Sequence, residues 1–218
     1  MIRLSFPSIE DEDLQAVRSV LESGYLVQGK YVSAFEQTIS ELVGTKYAVA
    51  VSSCTAALHI SLLSLGIKPG DIVIVPSYSW IATANVVELC GASPCFVDIL
   101  PDTFNIDLNK LEHYLRENTS KKLKAVIVSH VGGQCVDLDR LYAMAKEHGV
   151  KIVEDASDAL GATYNGKKIG STGADITCFD FSPHLRRNVC NGGMLVSDDE
   201  EIIERARLLR NHAMVVDD

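Results

Sequence analysis

An α/β fold, with a mainly parallel seven-stranded sheet and helices on both faces, is predicted by three features of the 218-residue chain. Short apolar runs alternate with amphipathic segments along its whole length, the pattern of strands joined by crossover helices. Hydrophobic residues make up 47% and charged residues 22% of the chain, the proportions of a globular protein with a large core. No internal repeat, low-complexity tract or linker interrupts the alternation, so one sizeable domain is expected.

Taken in order, helices are expected over residues 8–23 and 29–42, the second opened by a turn at Gly29. A strand at 47–51 leads into a helix at 55–65, and the turn Pro69-Gly70-Asp71 leads into a strand at 72–75. A helix at 81–89 and a strand at 94–97 follow. The spacing of Leu108, Leu111, Tyr114 and Leu115 marks a helix over 107–117. Next come a strand at 125–129, a helix at 137–147 and a strand at 151–154. Asn165-Gly166-Lys167-Lys168 reads as a hairpin tip. Strands at 176–179 and 193–197 and a helix at 199–210 complete the series.

Charge and composition exclude several function classes. A net charge of −9 provides no basic patch, so neither nucleic acid nor an anionic membrane is an expected partner. No apolar stretch approaches the ~20 residues that span a bilayer, and residues 1–7 lack the apolar core of a signal peptide. Cys54, Cys90, Cys95, Cys135, Cys178 and Cys190 form no Cys-x-x-Cys pair and sit mostly in apolar surroundings. They read as reduced core residues of a cytoplasmic protein, and no metal site is expected.

Three positions are candidates for chemistry. In Val51-Ser52-Ser53-Cys54-Thr55-Ala56-Ala57, small residues at a strand-to-helix turn let the N–H groups around Thr55 and Ala56 meet an anion. The same turn also reads as a plain helix cap by Ser53 or Thr55. Trp80, the single tryptophan, follows a strand and reads either as a core aromatic or as a stacking surface for a flat ligand. Asp155 ends the apolar run Val153-Glu154-Asp155, where a carboxylate is costly unless something pairs with it. A following helix that it caps is one such partner, and a ligand is another.

These segments, with Gly161-Ala162-Thr163-Tyr164-Asn165-Gly166-Lys167-Lys168-Ile169-Gly170 and Phe179-Asp180-Phe181-Ser182-Pro183-His184-Leu185 before Gly192-Gly193, resemble one family. It is the pyridoxal-phosphate (PLP) sugar aminotransferases of the DegT/DnrJ/EryC1/StrS type. The resemblance runs from Ser8 to Met214. It implies the large domain of a fold-type-I PLP transferase over residues 1–218, without the family's smaller C-terminal domain. It also implies a nucleotide-sugar ligand, and a homodimer or a pairing with a paralogue. By resemblance, Asp155 stands where an aspartate pairs with the pyridinium nitrogen, which makes the cofactor an electron sink. Trp80 stands where a ring stacks on the pyridine, and Thr55 and Ala56 stand in the phosphate cradle, with Cys54 replacing a glycine. The stretch 23–32 resembles the lining of the family's sugar pocket.

Several positions depart from the family pattern. Asp158 replaces a glutamine or histidine that binds the cofactor's phenolic oxygen, and a carboxylate there is acceptor-only. Asp180 replaces the serine of Phe-Ser-Phe, a phosphate donor, and brings a carboxylate toward a dianion. Leu185 occupies the place of the Schiff-base lysine, and Asn191 stands where glutamate precedes Gly-Gly. The departures imply weak or lost PLP binding and a degenerate homologue without transaminase activity. Two alternatives stay open. A 3-dehydratase-like enzyme would use His184 as base with a non-covalent cofactor, and an aminotransferase fragment would be completed by another chain. Lys167 and Lys168 are expected to face water, and Arg186 and Arg187 either offset Asp180, bind a diphosphate or are solvated.

Overall fold

The computed structural model describes residues 8–118, 120–182 and 191–214. Helices α1 (Asp11–Ser23) and α2 (Lys30–Val43) precede β1 (Tyr47–Val51), α3 (Cys54–Ser64), β2 (Ile72–Pro76), α4 (Ala82–Leu89) and β3 (Ser93–Val97). Then come α5 (Leu108–Glu117), β4 (Leu123–Ser129), α6 (Leu138–His148), β5 (Lys151–Asp155) and the two-residue strands β6 (Thr163–Tyr164) and β7 (Lys167–Lys168). The last elements are β8 (Ile176–Asp180), β9 (Gly193–Ser197) and α7 (Glu200–Arg210).

Seven strands form one sheet in the order β1-β9-β8-β5-β4-β2-β3. From β8 to β3 all neighbours are parallel. Strand β9 runs antiparallel to both β8 and β1. The predicted class therefore holds, with one reversed strand that periodicity does not reveal. Side chains alternate across the sheet, which builds two cores. Ile74, Val126 and Ile152 pack with α2, α5 and α6 on one face. Val73, Ile127 and Val153 pack with α3, α4 and α7 on the other.

Local chemistry explains most boundaries. Asp107, Asp137 and Asp199 cap α5, α6 and α7 with their side-chain oxygens. The helix expected from residue 8 starts at Asp11, because Glu10 is extended and its N–H donates to Asp13 Oδ2 at 2.9 Å. Asn165 and Gly166 adopt φ of 48° and 78° between β6 and β7, as a two-residue hairpin turn requires. Among the described residues no helix is long and apolar enough to cross a membrane.

Strand order also locates the site. The carboxyl ends of β1, β2, β4, β5 and β8 meet at one edge of the sheet, where parallel α/β sheets form crevices.

Candidate functional site

A cavity of about 610 Å³ opens at that edge, and Thr55, Trp80, Asp155, Asp158 and Asp180 all line it. Ala56 is not among its described lining residues; its N–H donates to Ser53 Oγ at 3.1 Å, so Ser53 caps α3. The cap leaves the N–H groups of Cys54 and Thr55, the first two of the helix, outside the helical ladder.

Asp155 forms the floor and is 7% exposed. No helix follows it: residues 156–162 are turns, so the cap reading fails and the carboxylate serves its own loop instead. Its Oδ1 accepts from Ser157 N–H at 3.2 Å and Ser157 Oγ at 2.5 Å. Thr83 Oγ1 donates to Oδ2 at 3.5 Å, the long limit of a hydrogen bond. Burial pushes the Asp155 carboxyl above its ordinary range, partly offset by the Ser157 hydrogen bonds and the nearby His130. The Cys54 thiol, 3.3 Å from Ser157 Oγ, is pushed well up by burial and by Asp155, which keeps it a thiol.

Behind this floor lies a buried polar cluster that sequence reasoning missed. Glu154 and His130 are fully buried, with His130 Nε2 3.4 Å from Glu154 Oε2. The approach is off-line, so Nε2 makes no directed hydrogen bond. His130 Nδ1 accepts from Val136 N–H at 3.3 Å, which assigns the ring proton to Nε2, facing the carboxylate. Tyr142 donates to Glu154 Oε1, and Thr177 donates to Oε2 at 3.1 Å. Burial, then the Glu154 charge, pushes the Tyr142 phenol far up, so it remains a donor. The available signal was Glu154 itself, an acid inside the apolar run Ile152-Val153-Glu154.

Trp80 is 77% exposed, which excludes the core-aromatic reading and leaves its ring free at the cavity rim. Asp158 is exposed at the same rim, its Oδ2 accepting from Gly132 N–H at 3.1 Å. Asp180 is buried at the end of β8, and its Oδ1 accepts from Ser182 N–H at 3.0 Å and Ser182 Oγ at 2.6 Å. Lys167 and Lys168 are exposed on the β6–β7 hairpin, with Lys168 Nζ 2.5 Å from Leu42 O. His184, Leu185, Arg186 and Arg187 lie outside the described residues. Among the described residues no cluster of His, Cys, Asp or Glu has the arrangement of a metal site.

A protein-family model described as the DegT/DnrJ/EryC1/StrS aminotransferase family matches residues 7–218. The chain is 44% identical over 210 residues to the spore coat polysaccharide biosynthesis protein SpsC of Bacillus subtilis (strain 168), covering 96% of this chain and 53% of that protein. Among solved structures, S. venezuelae DesV in complex with a ketimine intermediate matches with a TM-score of 0.86 and 36% identity, over 93% of this chain and 54% of that one. A GDP-4-keto-6-deoxymannose-3-dehydratase with a trapped PLP-glutamate geminal diamine matches with a TM-score of 0.88 and 29% identity, over 98% and 55% of the two chains. The chain thus spans about half the length of these relatives.

Proposed function

The chain belongs to the DegT/DnrJ/EryC1/StrS aminotransferase family, and from that premise we propose that it is a non-transaminating homologue of the PLP-dependent sugar aminotransferases. It keeps the floor of a cofactor pocket and lacks the amine that would hold the cofactor covalently. The observation that carries this reading is the segment between β8 and β9. Asp180 and Gly193 are directly paired, so residues 181–192 form the connection in which the family's lysine belongs. That connection contains no lysine, and the last lysine of the chain is Lys168. No lysine is present among the described residues lining the cavity.

The residues present suit one end of PLP and not the other. Asp155 offers a buried oxygen, Oδ2, whose single described donor is distant, and this suits a protonated ring nitrogen. Trp80 offers a free face beside it. Toward the phosphate, Asp180 would be an acceptor where the family has a donor, and by the same resemblance Asp158 would be an acceptor where the family donates to the phenolic oxygen. No reaction step through an imine is therefore assigned. The large domain over residues 1–218, the nucleotide-sugar ligand, and the homodimer or paralogue pairing remain part of this proposal.

Similarity to a solved 3-dehydratase supports a second, dehydratase-like reading, for which the family resemblance implies a non-covalently held cofactor and His184 as base. A PLP titration followed by absorbance separates the readings. The non-transaminating account expects no bound-cofactor band in the wild-type chain and its return in the Leu185→Lys/Asp180→Ser variant. A tight wild-type band abolished by His184→Ala favours the dehydratase.

A further inference from the structure

The mismatch at the phosphate end raises the question of what the retained floor accepts. We infer that the cavity selects a flat, protonated nitrogen heterocycle that carries no phosphate. The inference rests on reading the cavity as the remnant of a cofactor pocket and goes on to name its ligand class.

Four observations converge. Asp155 is buried, and the one described donor to its Oδ2, Thr83, stands at 3.5 Å, so that oxygen keeps accepting capacity for a charge-assisted donor. Trp80 exposes 77% of its surface on the rim, so its face can receive a flat cation, and cation–π attraction is strongest for tryptophan. Ser129 is 8% exposed and lines the cavity, yet its Oγ has no hydrogen-bond partner among the described residues. A buried hydroxyl left unpaired beside a cavity points to a polar ligand atom that completes it. Asp158 adds a carboxylate at the rim, and neither lysine nor arginine is present among the described lining residues. At close range these carboxylates attract a ring cation and oppose a phosphate dianion, outweighing the two N–H groups of Cys54 and Thr55 that favour an anion.

Pyridoxamine and pyridoxamine 5′-phosphate test the inference, because they differ only in the phosphate and neither carries an aldehyde. Binding to the full chain is followed by calorimetry and by the fluorescence of Trp80, the sole tryptophan. Pyridoxamine is expected to bind at least tenfold more tightly than its phosphate at pH 7. Asp155→Asn and Trp80→Leu should each weaken pyridoxamine at least tenfold; Trp80 is exposed, so its variant reports even where Asp155→Asn disturbs folding. Equal or tighter binding of the phosphate, as loop arginines 186 and 187 would produce, overturns the inference. Absence of pyridoxamine binding at millimolar concentration, or unchanged affinity in both variants, also overturns it. The two readings fail separately. Preference for the phosphate leaves the absence of an imine standing, whereas a covalent PLP adduct does not alter the pyridoxamine ratio.

Discussion

The backbone of Gly193 presses against that of Ser53 so closely that a Cβ at residue 193 would lie 2.2 Å from the Ser53 carbonyl oxygen and 2.6 Å from Cys54 N. Glycine is thus required at the first residue of β9 because the turn into α3 crosses directly beside it. The neighbouring Gly192 has no such constraint, since its nearest contact would be Phe181 Cβ at 3.7 Å. The same contact holds the cavity's Ser53–Thr55 wall against the end of the β8–β9 connection.

Gly193→Ala is therefore expected to destabilise the fold by roughly 3 kcal/mol, the upper range for overpacking. Gly192→Ala should change stability by less than about 1 kcal/mol. Urea denaturation of the pair checks the contrast, and equal effects would contradict it.

Glu36 and Arg210 are expected to act as a unit on the edge strand β1. Glu36 Oε1 accepts from Ala50 N–H at 2.8 Å, Arg210 Nη1 donates to Ala50 O at 3.0 Å, and the two side chains pair with each other. Both side chains are mostly buried, at 15% and 13% exposure for Arg210 and Glu36. Arg210→Ala leaves a carboxylate unpaired and should cost about 3 kcal/mol. In a double-mutant cycle with Glu36→Gln, the two losses should fall well short of adding.

Tyr142→Phe removes a donor from the buried Glu154 and should cost about 2 kcal/mol in denaturation midpoint analysis, the range for hydrogen bonds to charged groups. A neutral effect would contradict a stabilising role for this hydrogen bond.

Asp155 gives a pH signature whose sign follows from burial. Its folded carboxyl is raised above the ordinary value, so the fold binds the proton more tightly than the unfolded chain does. Stability from this group is present below about pH 4, the unfolded value, and is lost as pH rises through the folded one. Asp155→Asn keeps an acceptor for Ser157 and should raise the denaturation midpoint at pH 7, with the gain vanishing near pH 4. An acid that weakens the fold at neutral pH is typical of a functional position.

Much of the fold was legible because local signals agreed. The apolar runs marked all seven strands, and Asn165-Gly166 marked the hairpin. The antiparallel direction of β9 was not legible, since period and composition are the same for either direction. At the site, Asp155, Asp158, Asp180, Trp80 and Thr55, singled out together by the family resemblance, line one cavity. His130 and Tyr142 escaped notice because their partners are remote in sequence, as with Tyr142 and Thr172, 30 residues apart. Arg210 and Glu36 are 174 residues apart, and nothing local to either foretells the pair.

The central claim is that no amine of this chain holds PLP as an imine. Its most direct test is borohydride reduction of the protein incubated with PLP, followed by peptide mass mapping, with Leu185→Lys as the positive control. The account predicts no stoichiometric adduct at any single lysine of the wild-type chain, and one adduct at residue 185 in the variant. A stoichiometric, borohydride-stable adduct at one wild-type lysine would contradict it.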